Sequence, residues 1–129
     1  MLLIDTSVAV ELREGANRVG DWFERLVEPP LLSIISVVEL EGGVVKVPVG
    51  ALARREALDK LYRTVEVLEF GWKQAQAYAV IVDCLGFSRP KIIDRMIAAQ
   101  AIVADAKLAT LNARDFRDIP GLIVENWSI

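Results

Sequence analysis

The sequence predicts an α/β protein, a mostly parallel central sheet of about four to five strands with helices on both faces, and three features lead there. Apolar runs of strand length alternate with stretches of helical periodicity along all 129 residues. The first run, Leu2, Leu3 and Ile4, is apolar throughout rather than alternating, as strands covered on both sides are. Turn residues separate the segments, with no long linker, internal repeat or low-complexity tract, so strand–helix–strand units fold back as parallel crossovers in one domain over 1–129. A hydrophobic content of 53% supplies that domain with a core and leaves little room for a second.

Each element follows from local pattern. The first strand, 2–4, stops at Asp5, which this fold class places at the carboxyl end of a strand, where open sheets hold ligands. A short helix is expected over 6–13, opened by Thr6 or Ser7 and ended by Gly15. Over 16–27, Val19, Trp22, Phe23 and Leu26 fall at i, i+3, i+4, i+7, one helical face. Pro29 and Pro30 stop that helix, and 31–35 is the next strand. Ser36 and Glu39 then have the S-x-x-E spacing of a capping box, opening a helix whose side-chain bulk Gly42 and Gly43 remove.

Past Pro48 and Gly50, residues 51–63 read as an amphipathic helix. Leu52, Ala57, Leu58 and Leu61 point inward, and Arg54, Arg55, Lys60 and Arg63 mostly outward. Residues 65–70 give a short strand and 72–85 a helix closed by Gly86. Ser88, Arg89 and Pro90 begin another helix reaching about 104, with Ile92, Ile93, Met96, Ile97 and Ala101 at helical spacing. A strand over 107–111, a turn over 112–118 and a last strand over 122–124 complete the chain.

Composition excludes several chemistries. There is no His, which removes Ser-His and Cys-His catalysis and imidazole ligands together. Cys84 stands alone, so no intrachain disulfide or zinc-finger spacing exists; it reads as a small packed residue, and a reducing cytoplasm suits it. A net charge of −3 leaves no broad basic surface, so contact with a polyanion has to be local or bridged by metal. No leader-like segment and no apolar run of bilayer length is present, so a soluble cytoplasmic protein is expected.

The acids carry the chemistry. Asp5 follows the first strand, Glu39 lies in the helix after the second, Asp94 interrupts an apolar helix, and Asn112 with Asp115 follows the strand over 107–111. Carboxylates brought within about 4 Å repel by roughly 4 kcal/mol per pair at an effective dielectric near 20. A hard divalent cation, Mg²⁺ or Mn²⁺, relieves that repulsion, takes oxygen ligands and leaves positions open for phosphate oxygens. Plainer readings stand beside this one. Asp5 serves equally as a helix cap, Glu39 as half of a capping box, and Asn112 and Asp115 as turn residues. Asp94 can pair with Arg95 or Lys91 at a helix rim, Glu41 belongs to the surface, and Asp83 is a helix-end residue without assigned role. Thr6, Ser7 and Thr110 are local hydrogen-bonders, or they orient a carboxylate or water.

The segments LLIDTS, SVVELEGG, DRMIAAQAI, LATLNARDF and GLIVENW, in this order and at this length, resemble a PIN domain of the VapC-type toxin ribonucleases over nearly the whole chain. The resemblance implies a PIN-like three-layer fold and an acidic pocket binding Mg²⁺ or Mn²⁺ to hydrolyse RNA. Asp5, Glu39 and Asp94 match three of its acids as catalytic and metal-binding residues. Where many members carry the fourth acid this chain has Asn112, and Asp115 is the nearest acid; before the last motif VADAKL lacks the usual glycine. The resemblance further implies a homodimeric toxin of a toxin–antitoxin pair, with a cognate antitoxin whose tail enters the acidic pocket. Trp22, Phe23 and Trp72 are the aromatic anchors available to a partner, with core packing as their plainer role. Arg89, Lys91, Arg95, Arg114 and Arg117 are placed to guide an RNA backbone, solvated charge being the plainer reading of each.

Two rivals belong to other classes. A cation-binding, non-catalytic α/β module of receiver type needs adjacent acids at the first strand end, and Ile4-Asp5-Thr6 supplies one; a D-x-D phosphatase needs an acid at Ser7. A degenerate PIN domain acting as an RNA-binding or scaffold protein is kept open by Asn112.

Overall fold

Five short, mostly apolar segments pair into one parallel sheet in this computed structural model, which describes residues 1–15 and 17–128. The strands are Leu2–Ile4 (β1), Leu31–Ser33 (β2), Glu66–Leu68 (β3), Lys107–Thr110 (β4) and Val124–Asn126 (β5), in the order β3-β2-β1-β4-β5. Six helices connect or flank them: Thr6–Glu14 (α1), Arg18–Glu24 (α2), Ile34–Lys46 (α3), Ala51–Thr64 (α4), Trp72–Leu85 (α5) and Ile92–Ala104 (α6). Short 3-10 turns occupy Arg89–Lys91 and Ala113–Asp115. The chain steps outward from β1 through β2 to β3, then crosses back to place β4 and β5 on the other side of β1. The order therefore reverses between β1 and β4, and a crevice opens there at the carboxyl ends of the strands.

Strand register explains why the central strands are apolar on both faces. Leu3 lies beside Leu31 and Leu108, and Ile4 beside Leu32 and Ala109. The Leu3 row packs with Ile81, Ile97, Ala98 and Phe116 beneath α5 and α6. The Ile4 row packs with Val8, Leu40, Leu58, Leu61 and Trp127 beneath α1, α3 and α4. At about 1.5–3 kcal/mol for each fully buried aliphatic side chain, the two layers pin β1 and β4 and with them the residues just beyond their ends.

Several local expectations are corrected. The helix after β2 begins at Ile34, with Ser33 Oγ accepting from the Ile35 amide at 2.9 Å. The capping residue is thus Ser33 rather than Ser36, because β2 ends at Ser33 and its Oγ reaches the free Ile35 amide in the first turn, while Ile35 packs on the core. Leu52 is 73% exposed instead of inward. Arg54 turns back rather than outward: left-handed Gly50, at φ 82°, folds the chain so that this guanidinium bonds the carbonyls of Val44, Val47 and Val49 at the end of α3. Cys84 is exposed, not packed. The last strand lies two residues later than expected, since Gly121 turns at φ 80° and Leu122 packs into the core before Val124 can pair with Leu108. The helix expected over 16–27 is the shorter α2, capped by Asn17, and Ala16 lies outside the described residues.

Glu41 does more than face solvent. It accepts two bonds from Arg55, at 2.6 and 2.8 Å, and one from Tyr62 Oη at 2.8 Å, tying α3 to α4. These bonds, Arg55 first, hold its carboxyl down to about 2. Gly43, two residues on, leaves the space in which the Arg13 guanidinium of α1 lies: a Cβ there would meet Arg13 Nη1 at 2.6 Å.

The missing glycine of VADAKL has a visible cost. Asp105 closes α6 in the left-handed conformation at φ 54°, the one non-glycine residue with positive φ among those described. Its Cβ opposes that geometry, so Asp105→Gly is expected to stabilise the protein by about 0.5–1 kcal/mol, read as a raised midpoint in urea with an unchanged slope.

Candidate metal centre

Asp5 sits one residue past β1 because the strand's apolar pairing ends at Ile4, and its amide still bonds Ala109 O at 3.0 Å on β4. From there its side chain caps α1. Oδ1 accepts from the Val8 amide at 3.1 Å and from Ser7 Oγ at 2.5 Å, while Oδ2 accepts from Thr110 Oγ1 at 2.5 Å. Ser7 Oγ in turn accepts from the Leu111 amide and Thr110 Oγ1 from the Asn112 amide. Two hydroxyls therefore fasten the ends of β1 and β4 around one carboxylate. Burial raises the Asp5 carboxyl above its ordinary 3.8, and the bonds from Ser7, Thr110 and the backbone oppose that rise. The helix-cap reading is correct for this residue, and it does not exhaust it: a 5% exposed carboxylate at the switch point has no cation paired with it among the described residues.

Glu39 reaches the same place from α3. Thr6 Oγ1 donates to Glu39 Oε1 at 2.7 Å, which leaves Ser36 as the donor in its 2.8 Å contact with Thr6 Oγ1. Sequence reasoning took Ser36 for a cap and so missed this role. The usable signal was its spacing, since i and i+3 share a helix face. Asp94 lies in the first turn of α6, and Asp115 ends the 3-10 turn after β4. The Asp94 carboxyl is pushed up to about 6, first by burial and then by the negative charges of Asp115, Asp5 and Glu39; Lys91 alone pulls the other way. Asp94 thus feels the charges of Asp115, Asp5 and Glu39, and none of the four is in an ion pair among the described residues. Neither Arg95 nor Lys91 pairs with Asp94.

Asn112 stands apart in kind. Its amide is used by Thr110, and its exposed side chain forms no cap on the turn it precedes. Of the basic candidates, Arg89, Lys91, Arg114 and Arg117 are exposed, while Arg95 is buried and donates through Nη1 to Gly86 O at 2.7 Å. Sequence reasoning also passed over Gln100, a buried amide donating to Leu68 O and Glu69 O; its polarity inside IAAQAI was the available sign.

The donor set fits a hard divalent cation: oxygen ligands from four segments, no imidazole, and a surplus of negative charge that no side chain neutralises. Among the described residues no three Asp, Glu or Cys side chains already close around an ion. A hollow of about 240 Å³, lined by Leu85, Lys91, Arg95, Asp115, Asp118 and Ile119, adjoins the acids. A larger one of about 320 Å³ lies away from them, between Trp22 and Trp127, and its carboxylate, Glu125, accepts from Trp127 Nε1.

Proton linkage follows from Asp94. With its carboxyl raised from 3.8 to about 6, the native state holds a proton that the unfolded chain releases. This group's contribution to stability is therefore present below about pH 4 and lost as pH rises through about 6. Compared with Asp94→Asn, the metal-free protein is expected to lose melting temperature between about pH 4 and 6. Mg²⁺ affinity, measured by calorimetry, should fall about tenfold per pH unit below about 6, where cation and proton compete.

The sequence matches the PIN domain family over residues 2–122. It is 34% identical over 130 residues to Ribonuclease VapC1 of Rickettsia felis, covering 95% of this chain and 93% of that protein. It is 32% identical over 128 residues to Ribonuclease VapC of Rickettsia bellii, covering 95% and 93% respectively. Among solved structures the fold is similar to VapBC2 from Rickettsia felis bound to a DNA fragment from its promoter, with a TM-score of 0.85, 27% identity, and coverage of 99% of this chain and 100% of that one.

Proposed function

Since the chain belongs to the PIN domain family, we propose that it is the toxin of a toxin–antitoxin pair, a divalent-metal-dependent endoribonuclease that hydrolyses RNA phosphodiesters. In this reading 1–129 is one PIN domain, and Asp5, Glu39, Asp94 and Asp115 hold the cation, Mg²⁺ or Mn²⁺. The observation that carries it is the negative charge that Asp115, Asp5 and Glu39 place on Asp94 beside the switch point of the sheet, with no cationic side chain in an ion pair with any of the four among the described residues. When bound, the ion polarises the phosphate and lowers the pKa of water.

The chain's own residues do the rest. Ser7 and Thr110 lock Asp5 in one orientation, and Thr6, steadied by Ser36, does the same for Glu39. Water adds to phosphorus, one P–O ester bond breaks, and the leaving oxygen takes up a proton. Asn112 supports the turn that carries Asp115, and Arg89, Lys91, Arg95 and Arg114 are the candidates for contact with the RNA backbone. A protein of net charge −3 needs that combination of cation and local basic groups to hold a polyanion.

The cognate antitoxin is the second partner, and an antitoxin arginine meeting these carboxylates bidentately would block the site. Trp72, 77% exposed at the start of α5, remains available to a partner, whereas Trp22 stacks edge-on against Trp127 at 5.7 Å and Phe23 packs on the core. The toxin acts as a homodimer in the cytoplasm, where its RNA is; no described helix is long and apolar enough to cross a membrane. The test is cleavage of a mixed tRNA and rRNA pool by the antitoxin-free protein, with and without Mg²⁺ or Mn²⁺, beside Asp94→Asn. Cation binding without any cleavage would favour the non-catalytic module instead.

A further inference from the structure

The basic residues near the carboxylates differ from one another in burial, and Arg95 is the exception among them. It is 6% exposed, yet it has no carboxylate partner among the described residues and donates one bond, to Gly86 O. A buried, unpaired guanidinium is costly unless something of opposite charge completes it. Its remaining nitrogens are not sealed in, since the buried side-chain atoms without a partner are Arg54 Nε and Gln100 Oε1. They border the hollow of about 240 Å³ that Lys91 also lines. At about 30 Å³ per water that space holds a phosphate group together with some of its hydration.

The same lining bears Asp115 and Asp118, from the turn after β4, and no ion pair joins them to Arg95 or Lys91 among the described residues. Asp115 belongs to the acid cluster as well, so the hollow continues directly from the place where a scissile phosphate would lie. A cation held by the four carboxylates offsets the charge of Asp115, and Arg95 and Lys91 then outweigh the remaining acid of the lining, Asp118.

We propose that this hollow is a second phosphate subsite, in which Arg95 and Lys91 hold the phosphate of the nucleotide neighbouring the cleaved bond. The proposal rests on the nuclease reading and deepens it: a substrate then needs two consecutive phosphates, which sets where along a strand it is cut. Arg95, fixed by Gly86 at the end of α5, supplies a rigid fork, and exposed Lys91 supplies a movable charge.

The experiment measures binding and turnover separately. Binding of a single-stranded dinucleotide with one phosphate and of a trinucleotide with two is titrated with Ca²⁺ in place of Mg²⁺, and cleavage is followed with Mg²⁺. Wild type is expected to bind the trinucleotide about tenfold more tightly, and Lys91→Gln and Arg95→Gln to bring that ratio near one while both still bind Mg²⁺. On a longer oligonucleotide, each variant should lower the slope of log K against log salt by about 0.7 for the lost phosphate. Lys91→Gln, at an exposed position, keeps the test valid if Arg95→Gln unfolds. An equal ratio in wild type and Lys91→Gln, with an unchanged salt slope, overturns the subsite and leaves Arg95 as a strut for the end of α5. Cleavage without the trinucleotide preference refutes the subsite alone; the preference without cleavage refutes the nuclease reading and keeps the subsite.

Discussion

Asp94→Asn is expected to lower RNA cleavage at least about a hundredfold and, at neutral pH, to leave the metal-free protein no less stable than the wild type. The two halves come from one cause. Asp94 is half-buried and surrounded by the charges of Asp115, Asp5 and Glu39, so its own charge is a liability to the empty fold and useful only when a cation is present. Losing residues that merely orient a ligand typically costs 10- to 100-fold in metal-dependent activity, and losing a ligand itself costs at least that. Thermal melting with Mg²⁺ supplies the second readout. An ion at about a hundred times its Kd stabilises by about 2.7 kcal/mol, and the variant, binding more weakly, should show a much smaller rise in Tm. Full cleavage by the variant would remove Asp94 from the site, and a loss of activity accompanied by unfolding would make it a structural residue.

The parallel sheet was legible because its central strands announce themselves. Leu3, Ile4, Leu31, Leu32 and Leu108 are buried in the core, and burial on both faces leaves short apolar runs that here are bounded by Asp5, Pro29 and Pro30. Boundaries were less legible wherever a backbone hydrogen bond, rather than a hydrophobic pattern, decides them. Ser33 and Ser36 are both plausible caps, and the choice depends on which serine reaches a free amide while Ile35 packs inward. At the other end of the chain, Leu122 and Ile123 look like strand, but Gly121 turns the chain and delays pairing until Val124. The candidate acids were picked out by where they fall after strands or, for Asp94, inside an apolar helix, and the fold brings Asp5, Glu39 and Asp115 near enough to Asp94 for their charges to act on it. The hydroxyls Thr6, Ser7 and Thr110 were legible as groups that orient a carboxylate, but no spacing rule could supply Ser36 or say which carboxylate each one meets. Thr6 to Glu39, and Thr110 to Asp5, span 33 and 105 residues. The hollow beside Asp115 is equally a product of packing between α6 and the turn after β4, and a sequence pass sees Arg95 as one more surface charge.

Asp5 offers a sharper separation of structure from chemistry, because its two roles answer to different substitutions. Asp5→Asn keeps an oxygen for the Val8 amide and for Ser7, and Asn is as good a helix cap as Asp. Its amide nitrogen faces Thr110, whose hydroxyl can turn from donor to acceptor. The variant is therefore expected to fold with stability within about 1 kcal/mol of the wild type. Asp5→Ala removes the cap as well, leaves two hydroxyls and an amide short of an acceptor, and should cost about 1–2 kcal/mol. Cleavage responds differently, because the cation is held by charge and not by capping. Both variants are expected to lose at least about a hundredfold, Asn no less than Ala. If Asp5 were a helix cap alone, Asp5→Asn would retain activity and only Asp5→Ala would fail, in step with its lost stability. Urea unfolding of the two variants beside a single cleavage assay decides between these patterns. The decision bears on the whole architecture: a buried carboxylate at the junction of β1, α1 and β4 persists at the expense of its own desolvation only where its charge is used.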